Sequence, residues 1–410
     1  MFGRIGFRGY SQTDLVPKGE GAITLSPTNM NSMFVDYSKC TYLSWKKYFE
    51  SPEIMVNPGD VLLVKTASVG KCSYVNELPQ ECTVNPQILV LKEHKDSPLF
   101  LTYLFQTAIG QTYIELNKVG STIPTLSEDK IGKFSFAFPP ISEQLSIVSF
   151  LNSKTKLIDD IIAKREKQIE LLEEMKSAII SRAVTKGLNP NAKMKDSGIE
   201  WIGEVPEHWE VADLKRYAKI STGKTPSTKK EEYFENEEIV WFTPGDFPDC
   251  SIILNDSSRK IDKRAIKANE AFLYPKNSVF LVGIGGTLGK IGIFEEEASC
   301  NQQINVIVCN SDIIKNYVAY YLYSKKEILK VYSNAATLPI LNQDKTGYIK
   351  IALPPLSEQQ AIASYLDSET SKIGTRIAKR RKHIELLQEY KQALITAAVT
   401  GKIDVREYNS

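Results

Sequence analysis

Paired cysteines, histidine clusters and long apolar runs are all missing from this chain of 410 residues. Its six cysteines (Cys40, Cys72, Cys82, Cys250, Cys300, Cys309) form no CxxC pair, and its three histidines (His94, His208, His383) lie far apart. Such spacing argues against a structural zinc site, and scattered free thiols fit the reducing cytoplasm. No apolar stretch approaches the roughly 18 residues that span a bilayer, and MFGRIGFRGY lacks the continuous hydrophobic stretch of a signal peptide. A strong charge of either sign is absent too. Net charge is +2 and the sequence pI about 8.0, less basic than a protein that grips nucleic acid by charge alone. If DNA is the partner, the cations must be clustered, or other subunits must help to hold the duplex.

Catalytic motifs are missing as a group. GIGGTLGK (Gly283–Lys290) invites a phosphate-loop reading, but the GxxxxGK pattern needs glycine where Ile284 stands and Ser or Thr where Ile291 stands. A tight glycine-rich turn presenting Lys290, or Lys71 in the matching segment, explains the residues better. No Asn-Pro-Pro-aromatic motif of amino-methyltransferases, no helicase motif and no GxSxG occurs. The chain itself is therefore expected to carry no catalytic residue, metal or cofactor.

What is present is a duplication. AFPPISEQLSIVSFLNS from Ala137 returns as ALPPLSEQQAIASYLDS from Ala352, 215 residues later. The match continues without a gap to Thr185 and Thr400, with more than half of the positions identical. Upstream it weakens but persists: STIPTLSEDKIG against ATLPILNQDKTG, VNPQILVL against CNQQINVI, VGK against LGK, and ITLSPTNM against VWFTPGDF. One frame has been copied while its loops drifted, which suggests two related sites reading different things. Residues 188–220 have no counterpart; by the offset it would lie before residue 1, so the first copy is expected to start at the level of Ser221.

Each copy ends in a predicted long helix. In PPISEQ and PPLSEQ the prolines end a strand, Ser142 or Ser357 can cap, and Glu143 or Glu358 sits in the positive first turn. Leu151, Ile158, Ile162, Ile169, Leu172 and Ile179 then form one apolar stripe, matched by Leu366, Ile373, Ile377, Ile384, Leu387 and Leu394. Gly187 and Gly401 stand where helix-stopping glycines belong. From Leu151 to Thr185 the helix would run about 50 Å, and so narrow a stripe favours pairing of the two helices. The rest, about 1–136 and 216–351, reads as mixed α/β. VLLVKTA, QILVLK, EIVWFTP, SVFLVGI and INVIVC are predicted strands, and LFLTYLFQTAIGQTYI and IKNYVAYYLYSKKEILKVY predicted amphipathic helices. Tyr317, Tyr320, Tyr321 and Tyr323 in the last are expected in the core rather than stacked on bases.

MKDSGIEWIGEVPEHWEVADLK (Met194–Lys215) followed by STGKTPS (Ser221–Ser227) closely resembles the opening of a target-recognition domain in type I restriction-modification specificity subunits. PPLSEQQAIASYLDSETSKI and its helix resemble that family's conserved regions. The resemblance covers nearly the whole chain and implies an α+β architecture with an internal pseudo-twofold repeat. Two mixed α/β target-recognition domains, 1–138 and 188–353 (with an N-terminal conserved segment 188–220), would be separated by helices within 139–187 and 354–410 forming an antiparallel coiled coil. It also implies a non-catalytic, DNA-binding subunit of a cytoplasmic DNA methylation complex. Each domain would read one part of a bipartite double-stranded target. The helices would set the gap, about 15 base pairs for roughly 50 Å, and dock two modification subunits that carry the S-adenosylmethionine chemistry, with restriction subunits joining the complex. The family's N-terminal conserved segment has no match before Met1, which leaves the first domain's docking in question.

Base specificity requires polar side chains on loops that differ between the copies. Arg4 and Arg8 in GRIGFRGY, and Lys224, Thr225 and Ser227 in TGKTPS, meet that requirement; Lys71 and Lys290 are better placed for phosphate. The basic run Lys379–Lys382 fits a solvated helix face, a partner or the DNA between half-sites. Two other readings remain open at this level: a recognition subunit of related enzymes cutting on both sides of their site, and a coiled-coil scaffold without sequence specificity.

Overall fold

The computed structural model describes residues 1–3, 9–236, 238–248, 251–332 and 340–405. Arg4 and Arg8 lie outside the described residues, as does Cys250. Two compact units divide the chain, Met1–Arg165 with Arg381–Ser410, and Glu166–Arg380. Each unit thus holds one α/β domain and half of each long helix.

The first unit opens with β1 (Phe2–Gly3), β2 (Leu15–Val16), β3 (Gly21–Leu25), β4 (Thr41–Ser44) and the short helix α1 (Trp45–Phe49). β5 (Val61–Val64), β6 (Cys72–Tyr74), β7 (Cys82–Val84) and β8 (Ile88–Leu91) follow, then α2 (Pro98–Gln106), α3 (Ala108–Asn117), α4 (Glu128–Gly132) and α5 (Ile141–Lys186). In the second unit come β9 (Met194–Asp196), β10 (Glu204–Pro206), β11 (Glu210–Asp213), β12 (Ala218–Thr222) and β13 (Ile239–Phe242). β14 (Lys260–Ile261), α6 (Lys263–Lys267), β15 (Val279–Val282), β16 (Ile291–Ile293), β17 (Ser299–Cys300) and β18 (Ile304–Cys309) continue it. α7 (Lys315–Ser324), α8 (Lys326–Tyr332), α9 (Gln343–Gly347), β19 (Lys350–Leu353) and α10 (Leu356–Val399) complete the order.

The two units repeat one topology. The sheet β1-β8-β5-β6 of the first has its counterpart in β12-β18-β15-β16 of the second, both antiparallel throughout. Beside it, β3 pairs in parallel with β7, as β13 does with β17. The apolar runs that predict strands are buried on both faces: VLLV of β5 and VFLV of β15 are at most 1% exposed. Burial on both faces removes the alternation that a half-exposed strand would show.

Two predicted helices are in fact helix pairs. Thr107 is extended (ψ 157°) and its hydroxyl accepts from Gly110 N, so it ends α2 and caps α3. At Lys325 (ψ 11°) the backbone N–H bonds to Leu322 O and Tyr323 O, which ends α7 before α8 begins. The long helices also begin earlier than a serine cap implies. They start directly after the proline pairs, and Ser142 and Ser357 lie inside the first turn. Gly187 and Gly401, at φ +71° and +72°, turn the chain out of them. At 46 and 44 residues the helices extend about 65–70 Å at ~1.5 Å per residue, longer than the sequence stripe implies. Among the described residues no helix is long and apolar enough to cross a membrane.

The helices run antiparallel. Lys391 Nζ on α10 meets Asp159 on α5 at 2.7 Å in the first unit, and Arg380 Nε reaches Gln168 Oε1 at 3.0 Å in the second. As α5 advances, its partner steps back along α10. Leu151, Ile158 and Leu394 are buried in one cluster of the first unit, with Ile162 and Leu387 packed against it. Leu366, Ile373 and Ile377 are buried in the second unit. Ile169, Leu172, Ile179 and Ile384 are only half-buried, because two helices alone cover one side of each other.

The domain of each unit is fastened to these helices by matched residues. Tyr103 OH donates to Asn152 Oδ1 and Tyr320 OH to Asp367 Oδ1, both at 2.8 Å. Tyr317, Tyr320 and Tyr321 are core residues, no more than 3% exposed, and Tyr317 OH donates to the backbone at Val184 and Ala352. The glutamine of each PPxSEQ motif is nearly inaccessible, at 1%. Gln144 Oε1 accepts from Ser97 N at 2.9 Å, while its Nε2 donates to Pro139 O and Asp96 Oδ1. Gln359 Oε1 accepts from Ile314 N at 2.8 Å, and its Nε2 donates to Pro354 O and Asp312 O. Ser97 and Ile314 are the residues that open α2 and α7. Replacing Gln359 by leucine would orphan one buried N–H and release two carbonyls, at roughly 1–3 kcal/mol for each group left unpaired. Q359L is expected to lower the urea midpoint of the second unit, with faster amide exchange at Ile314 and Lys315. Unchanged exchange there would show that the amide is dispensable.

Candidate nucleic-acid interface

In the second unit Thr222, Asn305, Leu281 and Ile291 stand in register at one end of the four-stranded sheet. Three loops therefore emerge together: 223–230 after β12, 301–303 before β18, and the turn 283–290 between β15 and β16. Backbone bonds stitch them. Lys224 N donates to Cys300 O, and Gly283 N donates to Gln303 O. Gly223 has no room for a side chain, since a Cβ there would lie 2.3 Å from Asn301 O. Cys300 beneath it is fully buried, and desolvation pushes its thiol well above the ordinary range, so it stays protonated.

The first unit presents the same end. β1 leads to residues 4–8, which lie outside the described residues, while 85–87 and the turn 65–71 stand as 301–303 and 283–290 do. Asn85 and Gln87 bond to each other through side chain and backbone, and Asn301 and Gln303 do so identically. Gly70 and Gly289 take φ +94° and +86° in the two turns, a conformation that glycine adopts freely. These pairs build the frame. The residue between them differs, Pro86 in one unit and exposed Gln302 in the other.

Lys71 and Lys290 occupy matched places just before β6 and β16, and both reach the same neighbouring loop. Lys71 Nζ donates to Asn31 Oδ1 at 2.7 Å and Lys290 Nζ to Phe247 O at 3.1 Å. They brace the loop that follows a duplicated turn. In that turn Ser26 N donates to Asn29 Oδ1 at 2.9 Å and Thr243 N to Asp246 Oδ2 at 2.7 Å. Asn29 spends its amide hydrogens on Asp36 O and Lys39 O. Asp246 instead collects Ser257 and Ser258 as donors. Partial burial opposes its charge, but hydrogen bonds from Thr243, Ser258 and Ser257 outweigh burial and hold the carboxyl below its usual 3.8.

The remaining sequence candidates fall on one loop. Lys224 Nζ donates to Asn269 O, and the Thr225 hydroxyl donates to Gln302 Oε1. Ser227 is half-buried, and its hydroxyl makes no hydrogen bond among the described residues. Gln302 escapes a search by residue type, although the alignment of VNPQ with CNQQ marks it as the one position of that loop where the copies differ. The assembled surface is polar, carries Lys224 and Lys290, and has no convergent set of three His, Cys, Asp or Glu side chains among the described residues.

Known proteins were compared with the chain. The family profile described as the type I restriction modification DNA specificity domain matches residues 10–171 and again 206–386. The type I restriction enzyme MjaVIII specificity subunit of Methanocaldococcus jannaschii is 28% identical over 377 residues, covering 87% of this chain and 82% of that one. The putative MjaX specificity subunit of the same organism is 26% identical, covering 91% and 85%. A chain solved in work on complex assembly and conformational transition of the type I R-M system shares the fold. Its TM-score is 0.70 at 15% identity, over 95% of this chain and 96% of that one.

The duplicated turn supplies a test in which each unit controls for the other. Asp246→Asn leaves one amide N–H₂ facing serine donors and is expected to cost about 1–2 kcal/mol; Asn29 already serves the first unit. In the wild-type chain the folded value of Asp246 is depressed, so its stabilisation is present above the unfolded value and disappears as pH falls through the folded one. Acid below pH 3.8 should therefore loosen the 243–258 region, read by amide exchange, and D246N should remove that acid step. An acid profile identical in D246N would rule this assignment out.

Proposed function

Because the chain belongs to the type I restriction-modification DNA specificity family, we propose that its two units read the two parts of a bipartite DNA target. One observation carries this. The loops that emerge at the same end of both sheets differ, while the pairs that shape them, Asn85–Gln87 and Asn301–Gln303, are kept. A scaffold without sequence preference has no use for two unlike loop sets on one frame.

In this reading Lys224, Thr225, Ser227 and Gln302 form the reading surface of the second unit, and Arg4 and Arg8 contribute to that of the first. A glutamine amide matches the N6 and N7 edge of adenine in the major groove, and a lysine matches guanine O6 and N7. Thr225 orients Gln302 by the hydroxyl bond to its Oε1. Lys71 braces its loop with one N–H to Asn31 and keeps further donors for phosphate, while Lys290 braces the matching loop through Phe247 O. The two long helices, shared by both units, set the spacing between half-sites and dock the modification subunits. Leu151, Ile158, Ile162, Ile169, Leu172, Ile179, Leu366, Ile373, Ile377, Ile384, Leu387 and Leu394 form their seam.

The chain is non-catalytic. Methylation belongs to modification subunits and cleavage to restriction subunits, all in the cytoplasm with the chromosome. A net charge of only +2 supports this division, because partners must supply much of the phosphate attraction.

Methylome sequencing of a methylation-free host tests the reading. Expressed with its modification partner, the chain should produce adenine methylation at one bipartite motif, and the partner alone should produce none. Gln302→Ala should relax or weaken one half of the motif only, by about ten- to a hundredfold, the value of a lost ~1–3 kcal/mol base contact. Exchange of residues 1–136 for those of a relative should change the other half only. Changes in both halves from either alteration would contradict independent reading.

A further inference from the structure

A short hairpin, Val119–Thr125, stands beside the reading loops of the first unit. Val119 N donates to Thr125 O at 2.9 Å and Thr125 N to Val119 O at 2.8 Å. Gly120 turns the chain at φ +98°, where a Cβ would lie 2.8 Å from Ile123 O. The hairpin is bonded to the turn that follows β5. Ala67 N donates to Pro124 O at 2.9 Å, Leu126 N donates to Lys65 O at 2.8 Å, and Thr66 bridges Thr125. Lys65 N in turn donates to Gln87 O at 2.7 Å. Loop 85–87, the turn and the hairpin are thus one backbone-bonded surface. Ala67 is held there at φ +65°, in the left-handed region that a Cβ disfavours, so bonds to its neighbours set the junction against local preference. Lys130 Nζ donates to Asn117 O at 3.1 Å and pins the root of the hairpin.

The tip has the wrong character for a solvated loop. Ile123 is 62% exposed and Val119 59%, and Leu116, at the end of α3 that leads into the hairpin, is 78% exposed. Leu126, just beyond, is 1% exposed, so the root is packed and the tip is bare. One exposed aliphatic residue is ordinary; three close together in sequence beside a polar reading surface mark a contact. The repeat adds a second observation. Thr122-Ile123-Pro124 returns as Thr337-Leu338-Pro339, while Val119-Gly120-Ser121 before it gives way to Asn334-Ala335-Ala336 and Thr125 after it to Ile340. A base reader would differ between copies, as Pro86 and Gln302 do. A residue that is exposed, apolar and of one kind in both copies fits a task that is the same at both half-sites.

We propose that Ile123 is a wedge: it presses between stacked base pairs of the DNA held by the first unit, unstacks one step and bends the duplex. The proposal rests on the DNA reading set out above and adds to it a contact that carries no base identity of its own. Isoleucine, leucine and proline are among the side chains with which proteins open a base step, and the cost of unstacking is offset by the extra protein surface that bent DNA reaches. Every base has an apolar face, so the wedge stays the same when the target changes. Steps that unstack readily, such as TA and CA, suit it best.

The test uses the full chain in complex with its modification partner. The probe is a duplex carrying the motif that methylome sequencing identifies, with donor and acceptor dyes at its ends. 2-Aminopurine is placed in turn at positions in and beside the first unit's half, the methylated adenine excepted, because that base can leave the stack for another reason. Binding of the wild-type complex should raise energy transfer between the ends and brighten 2-aminopurine at one step. Ile123→Ser, at an exposed position, should abolish that brightening and weaken binding about ten- to a hundredfold, the value of one buried isoleucine side chain, while the methylated motif keeps its sequence. Ile123→Leu, the residue of the second copy, should restore both signals. Brightening and affinity that survive I123S would overturn the wedge and leave the DNA reading standing, as would a wild-type complex that brightens no step. A motif whose bases change in I123S would make Ile123 a base reader instead. No motif from the wild-type chain would remove the DNA reading itself, and the wedge with it.

Discussion

A carboxamide buried where a loop gives way to a long helix couples each α/β domain to the helix pair. Gln144 and Gln359 use both ends of the amide. The oxygen accepts the N–H that opens α2 or α7, and the nitrogen binds the carbonyl of the proline pair. At 1% exposure, neither end has water as an alternative, so every group left unpaired costs its full desolvation, about 1–3 kcal/mol. Each amide thus fixes the first turn of the long helix on its domain, beside the broad apolar contact that α2 and α7 make with the helices. The tyrosine bonds, Tyr103 to α5 and Tyr320 to α10, fix a second point two turns further along. Two points on a rigid helix define a direction, and direction is what a protein that measures a distance along DNA must hold constant.

This coupling explains why the loops are free to differ. The residues that carry the fold are strand interiors such as Leu62, Leu63, Phe280 and Leu281, almost wholly buried, and the amide and tyrosine fasteners behind them. The loops at the end of each four-stranded sheet are held by a small kit: an Asn-x-Gln loop, a glycine turn and a bracing lysine. Changing Pro86 to Gln302 between copies leaves that kit untouched. Surface substitutions of this kind usually alter stability by less than about 0.5 kcal/mol, whereas one base contact is worth ~1–3 kcal/mol of discrimination. Specificity can thus shift widely at little structural cost.

Much of this was legible in the residues. The PPxSEQ repeat announced two copies, and the apolar stripes announced long paired helices. VLLV, ILVL and INVIVC, with their β-branched character, marked central strands. What escaped was set by local competition. Thr107 reads as a helix interior by composition, yet its hydroxyl does better as a cap, and the predicted helix divides there. Ser142 reads as a cap, yet the prolines before it already start the helix. Lys71 and Lys290 read as free cations on a turn, but their bonds to Asn31 and Phe247 appear only once a distant loop is folded beside them. The type of Gln302 distinguishes nothing; the alignment of VNPQ with CNQQ marks its position, and Asn301 and Gln303, locked together, hold it exposed on a fixed loop.

The differences between the copies are as informative as their identities. Asn29 and Asp246 close the same turn, but one spends its nitrogen on carbonyls and the other its charge on serines, so each is suited to its own loop and not to the other's. Glu143 and Glu358 stand in the first turns of α5 and α10, but among the described residues only Glu358 has an indole and an imidazole on it. In the turn, divergence rebuilt the interaction within the unit; at the helix start, the first unit kept the acceptor without a donor among the described residues. A charge held at a helix N-terminus is favoured by the helix dipole even without a partner, so Glu143 is tolerated there. The dipole accounts for its persistence.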